Sequence, residues 1–185
     1  MSQTAKRKAT YEDLLALAEN QVGEIIHGSL HTHPRPAPRH AVAYSALGGH
    51  LWNPYGRGSG GPGGWWILDE PELHLGEEIL VPDLAGWRRE RMPELPDTAW
   101  FELAPDWVCE ILSPATARTD RVLKMPIYAR EGVRHLWLVD PDLKTLEVYE
   151  LDNGRWTLLA TLKDDDPVRQ PPFDATEFPL DSLWA

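Results

Sequence analysis

Pro105-Asp-Trp-Val-Cys-Glu110-Ile-Leu-Ser-Pro114, followed ten residues later by Lys124, is the stretch whose reading decides the fold. Alternation along a strand places Glu110 on one face with Val108 and Leu112, and Trp107, Cys109 and Ile111 on the other. Both faces are otherwise apolar, which is the signature of a central strand covered on each side. An ionised carboxylate in such a strand costs several kcal/mol unless a cation or a full set of donors answers it. A second carboxylate, Asp83, stands in a similar setting, Ile79-Leu-Val-Pro-Asp83-Leu-Ala-Gly-Trp87. Two acids on core strands, with Asp120 and Lys124 on an expected helix, point to a metal ion and a hydrolytic site.

Outward from that core, the chain alternates helical and strand patterns. Thr10-Tyr-Glu-Asp13 has capping-box spacing ahead of a leucine stripe, which predicts a helix over about 10–19. Gly23 to His31 reads as a single strand entering a proline-rich turn at Pro34, Pro36 and Pro38. A second helix is expected over about 40–53, ended by Pro54 and Gly56. The run Gly56 to Gly64 is a flexible loop; it lacks the Gly-Lys-Ser/Thr ending and the following helix of a phosphate loop.

Trp65–Leu68 and Ile79–Trp87 read as two strands, and residues 88–105 as irregular. After the Glu110 strand comes a helix through Val122, Met125 and Tyr128, kinked at Pro126 and ended at Gly132. Arg134 to Val139 is a buried strand. Lys144–Leu151 and Arg155–Leu162 form a hairpin across Asp152-Asn153-Gly154. The tail, with Phe173, Phe178, Leu180, Leu183 and Trp184, is expected to pack back as a short helix or coil. This order predicts an α/β (α+β) fold: a mixed sheet flanked by helices, with a hairpin toward the C-terminus. Residues 1–9 read as a disordered arm and 10–185 as one domain.

Composition narrows the function. With 42% hydrophobic and 25% charged residues the chain is that of an ordinary globular protein. It shows no apolar run of the ~18 residues that a membrane span needs. No apolar region follows the basic N-terminal cluster, so a secretory signal is not expected, and cytoplasmic residence is the default. One cysteine excludes a disulfide framework and a cysteine-rich zinc site. The net charge of −11 repels nucleic acid in bulk, so any such binding is expected to be weak or transient. Local help could come from Arg88, Arg89, Arg91, Arg118, Arg121 and Lys124.

Several stretches carry a resemblance: Gly23-Glu24-Ile-Ile-His-Gly28, Val81-Pro82-Asp83, Pro105 to Pro114, and Asp120-Arg-Val-Leu-Lys124 through Gly132 to Trp137-Leu-Val-Asp-Pro141. The chain resembles the PD-(D/E)xK nuclease superfamily, and within it the Uma-type family of restriction-endonuclease-like bacterial proteins. That resemblance implies a divalent-metal-dependent endonuclease hydrolysing DNA phosphodiesters, with Mg²⁺ or Mn²⁺ as cofactor and a homodimer as a plausible assembly. It implies Asp83 and Glu110 as metal ligands, with the Ile111 carbonyl as a possible third. The superfamily's lysine normally follows the acid by two positions, where this chain has Leu112, so Lys124 is its match from the next helix. Asp120 would steady that ammonium through an i,i+4 pair. Glu24 matches an early family glutamate and would reach the metal directly or through water. His27 stands where the family usually has an acid, and Pro126 interrupts the helix carrying Lys124.

Two other readings stay open. One keeps the fold and binds nucleic acid without cutting. The other is a cupin-like histidine metal site built from His31 and His33 on one strand face, with His27, His40 and Glu24 nearby. Cys109 reads as core, and Trp65 and Trp66 as candidates for a partner surface.

Overall fold

The computed structural model describes residues 7–34 and 37–185. The chain opens with α1 (Tyr11–Leu15), shorter than the expected helix. The Asp13 carboxylate accepts the Thr10 N–H at 2.7 Å, as the capping spacing requires. Residues 7–9, the described part of the expected arm, lie along the first hairpin. The Ala9 N–H donates to the Gly28 carbonyl at 2.9 Å, and Lys8 Nζ sits 2.9 Å from Glu77.

The stretch expected as one strand is a hairpin of β1 (Gln21–Ile26) and β2 (Ser29–Pro34), paired Glu24 to His31 and Ile26 to Ser29. Its two-residue turn has His27 at φ 52° and Gly28 at φ 71°. Positive φ at both positions matches the right-handed twist of the paired strands. The proline-rich turn that follows falls partly on residues 35–36, outside the described residues.

Helix α2 (Pro38–Leu51) starts on a proline, whose missing N–H costs nothing at a helix start. It runs past the expected stop into a wider π-helical turn, Trp52–Arg57, and ends at Gly58 with φ 73°. Pro54 widens the helix here rather than ending it, since a proline removes one donor but not the helical path. Strands β3 (Trp65–Asp69), β4 (Leu73–Leu75), β5 (Glu78–Leu80) and β6 (Leu84–Arg88) follow. The expected strand 79–87 is therefore broken at Val81-Pro82-Asp83, and its halves join different sheets.

Strand β7 (Trp107–Ile111) leads into a helical crossover: α3 (Ala117–Thr119), a π-helical turn over Asp120–Lys124, and α4 (Met125–Arg130). The Met125 N–H reaches back five residues to the Asp120 carbonyl. Pro126 has no N–H to continue the tighter register, so the expected disturbance is a widened turn. Gly132, at φ 77°, ends α4 in a Schellman pattern, with Val133 N–H on Tyr128 O and Gly132 N–H on Ala129 O.

Then come β8 (His135–Asp140) and the hairpin of β9 (Thr145–Asp152) and β10 (Arg155–Lys163), turning at Asn153-Gly154 as expected. The tail contributes β11 (Pro167–Val168), β12 (Phe178–Pro179) and a 3₁₀ turn, Leu180–Leu183.

Six strands form a mixed sheet in the order β10-β9-β8-β7-β6-β3, and four form a second sheet, β2-β1-β5-β4. Only the β7–β8 pair of the larger sheet is parallel, and α3–α4 makes that crossover. On one face Trp107, Cys109, Ile111, Trp137 and Val139 pack against α2 and the tail residues Phe173, Phe178, Leu180 and Leu183. On the other, Val108, Leu112, Leu136 and Leu138 pack against α4 and the smaller sheet. Strand β7 is thus covered on both faces, as its composition requires. No helix among the described residues is long and apolar enough to cross a membrane.

Candidate functional site

The break at Val81-Pro82-Asp83 carries the chain from one sheet to the other beside the end of β7. There the Asp83 Oδ2 accepts the Ile111 N–H at 2.7 Å. This bond ties the loop to the central strand and turns Oδ1 toward His40, whose Nε2 lies 3.2 Å away. Asp83, Glu110, Asp120, Lys124 and His40 line one cavity of about 330 Å³.

Lys124 crosses from the π-helical turn to the sheet and is 2% exposed. Its Nζ lies 2.8 Å from Glu110 Oε1, 2.9 Å from Glu24 Oε1 and 3.5 Å from Asp120 Oδ1. Glu24 is held in turn by the Val81 N–H at 2.8 Å, and the Tyr128 hydroxyl donates to Glu110 Oε1 at 2.6 Å. Both contacts on Glu110 fall on the same oxygen.

Burial pushes the Glu110 carboxyl well above the usual range. Lys124 opposes this, while Asp120, Asp83 and Glu24 add to it. The Asp120 pKa rises for the same first reason. Burial works against the Lys124 ammonium, but Glu110, Glu24, Tyr128 and Asp120 outweigh it, so its pKa lies well above the ordinary lysine value.

His40 is also raised. Burial lowers it, and Asp83, the Ile111 carbonyl and Asp120 more than compensate. Four carboxylates therefore share the site with one lysine and one imidazole. That surplus of hard oxygen donors fits a divalent cation. Among the described residues no three His, Cys, Asp or Glu side chains form a ready-made cage. In the arrangement seen, Glu24 and Glu110 answer to Lys124.

The structure thus brings all five sequence candidates together: Asp83, Glu110, Lys124, Glu24 and Asp120. Their placements differ in one respect from expectation. Glu24 faces the ammonium, buried against Val81, and does not line the cavity.

The alternative histidine site is not assembled among the described residues. His27 sits in the first turn, 3.1 Å from Glu78, and only His33 and His40 line the cavity. In the sequence His40 belongs only with that histidine alternative; no spacing links it to Asp83, 43 residues away. Cys109 is fully buried, and burial raises its thiol pKa. Trp65 is core, and Trp66 donates to the Met92 carbonyl beneath the Arg89 guanidinium. Neither offers a bare stacking surface. Arg89, Arg91 and Arg121 are engaged with Gly56, Asp106 and Glu147 respectively.

The family model Uma2, described as putative restriction endonuclease, matches residues 9–181. The chain belongs to the Uma2 family. A crystal structure at 1.96 Å of a putative nuclease belonging to DUF820, from Anabaena variabilis, superposes with a TM-score of 0.70. The two are 24% identical over 95% of this chain and 97% of that one, a likeness that shows the fold. No curated protein matches the chain. This Uma2 chain thus has a nuclease-like fold: a mixed sheet flanked by helices. In it Leu112, at the position of the superfamily lysine, is 3% exposed and packs in the core beneath α4. The ammonium beside Glu110 is that of Lys124, from the π-helical turn.

Proposed function

We propose that this Uma2-family protein is a divalent-metal-dependent endonuclease that hydrolyses DNA phosphodiesters. One observation carries the reading: Asp83 and Glu110 open on a common cavity beside a buried lysine, whose Nζ lies 2.8 Å from Glu110. The residues that would hold Mg²⁺ or Mn²⁺ are Asp83 and Glu110, with the Ile111 carbonyl. A bound ion of this kind acidifies a water and offsets charge building on the phosphate.

The chain's own groups do the rest. The Ile111 N–H fixes the Asp83 carboxylate and leaves Oδ1 facing the cavity. Tyr128 and Lys124 hold Glu110 by one oxygen, which leaves the other for a ligand. Lys124, steadied by Glu24 and Asp120, offers fixed positive charge to a phosphate entering the cavity. Such charge, set in place before reaction, favours the transition state because nothing must reorganise.

A second reading, nucleic-acid binding without cleavage, draws support from the net charge of −11. Cleavage of plasmid and single-stranded DNA with added MgCl₂ or MnCl₂ separates the two. Asp83→Asn is expected to lower the cleavage rate by about 10²-fold or more, with melting temperature little changed. Equal activity in wild type and Asp83→Asn would assign the cutting to a contaminant and leave the binding reading.

A further inference from the structure

We propose that the substrate of this site is single-stranded DNA, and that Arg39 binds the phosphate next to the one in the cavity. The inference rests on the nuclease reading above and adds to it a substrate class and a binding residue.

The cavity of Asp83 and Glu110 does not end at its mouth. It shares Ala37, His40, Ser113 and Pro114 with a second cavity of about 400 Å³, which adds Arg39, Pro141 and Asp142. Together they make one groove, running over Ser113-Pro114 from the Asp83 loop to the loop after β8. Arg39 stands in the first turn of α2 with its side chain 71% exposed, and its Nη1 lies 3.6 Å from Asp142 Oδ1. An exposed ion pair of this kind is weak. A phosphate offers the guanidinium fork two oxygens at once and competes well for it. Arg39 lines the outer cavity and not the inner one, so it meets a neighbouring phosphate and not the reacting one.

Charge decides between one strand and two. Among the described residues lining this groove, Arg39 and Lys124 are the only arginine or lysine, against Glu70, Asp83, Glu110, Asp120 and Asp142. A duplex carries one charge per ~1.7 Å of its axis, and its binders neutralise many phosphates. The other arginines do not extend the groove. Arg88, Arg91 and Arg134 line a separate cavity at the starts of β7 and β8, and Arg121 is paired with Glu147. Two cations suit two successive phosphates of one strand.

Burial points the same way. The side chains of Lys124 and Glu110 are 2% and 3% exposed, so a phosphate must enter the groove to meet them. A duplex carries its phosphates on a stiff rod. A single strand turns freely about its backbone and follows a narrow groove.

The test measures binding by the full-length chain, using fluorescence anisotropy of a labelled oligothymidylate in CaCl₂ over a series of KCl concentrations. The same strand annealed to oligodeoxyadenylate is the duplex probe. Wild type is expected to bind the single strand tighter than the duplex, on the order of 10-fold. Arg39→Ala should weaken single-strand binding on the order of 10-fold and lower the slope of log K against log salt by about 0.7, one phosphate contact. Arg39→Lys should keep that slope. Arg155→Ala removes an equal charge from the exposed start of β10 and should change neither quantity. Duplex binding as tight as single-strand binding would overturn the proposal, as would Arg39→Ala behaving like Arg155→Ala. If MgCl₂- or MnCl₂-dependent cleavage lost in Asp83→Asn accompanied either result, the nuclease reading would stand without it. Arg39-dependent strand binding with no cleavage in either salt would overturn the nuclease reading and keep the strand groove.

Discussion

Lys124 and Glu110 are 2.8 Å apart, yet their removal should act in opposite directions. Lys124 is the buried cation among Glu110, Glu24 and Asp120, so Lys124→Met leaves three carboxylates with nothing to offset them. The expected loss is on the order of 3–5 kcal/mol. Glu110→Gln removes one of several repelling carboxylates and keeps an acceptor for Tyr128, so stability should hold or rise by up to about 1 kcal/mol. Urea denaturation without divalent metal compares the two, and equal losses would contradict this account.

His135 makes a separate residue-scale prediction. Burial lowers its pKa from 6.5 to about 4. Arg134 and Arg88 add to that, against Glu150 and Asp106. Its Nδ1 has no hydrogen-bond partner. The unfolded imidazole binds a proton near 6.5 and the folded one only near 4, so the unfolded state holds more protons between. Stability from this group is full above 6.5 and lost as pH falls to about 4. The loss is on the order of 3 kcal/mol. His135→Phe should flatten the curve of stability against pH by that amount, seen by denaturant melts across the range.

At the scale of elements, the helix that carries Lys124 depends on how it starts and stops. Gly132 ends α4 at φ 77°, where a Cβ meets no neighbour within 4 Å but is strained by the backbone itself. Gly132→Ala should therefore cost about 1 kcal/mol, with cavity and metal affinity unchanged. A thermal melt beside a metal titration checks both halves. Much of this element was legible beforehand: the glycine stop, the proline disturbance and the i,i+4 relation of Asp120 to Lys124 are local. The β1–β2 turn was not, because His-Gly is a weaker signal for paired positive φ than Asn-Gly. The split of 79–87 was not either. Val81-Pro82-Asp83 keeps the apolar pattern going, and nothing local says that its halves pair with different sheets.

Across the whole molecule, the tail closes one face of the larger sheet. Phe173 is 2% exposed, with ring contacts to Tyr55, Trp65, Trp107 and Trp137 at 4.7–5.7 Å. It joins the π-helical turn after α2 to β3, β7 and β8. Phe173→Ala should cost about 3–5 kcal/mol, read as a shift in the urea midpoint. A loss below about 1 kcal/mol would mean that the tail is an accessory. The expectation that the tail packs back rested on its aromatic content. Its partners lie more than 30 residues away and could not be read.

The sequence by itself determined the doubly covered strand β7, the buried acid on it and the Asn153-Gly154 hairpin, while Glu24 and the place of Lys124 beside Glu110 came from the family resemblance. Periodicity, turn chemistry and the cost of an unanswered buried charge are local properties, and they survive folding. Only the tertiary structure decided which acid faces which cation. It turned Glu24 to Lys124 and away from the cavity, broke the Asp83 strand between two sheets, and set His40 against Asp83. Those placements come from packing between elements distant in the chain, where contact follows from the closing of the core and not from spacing along it.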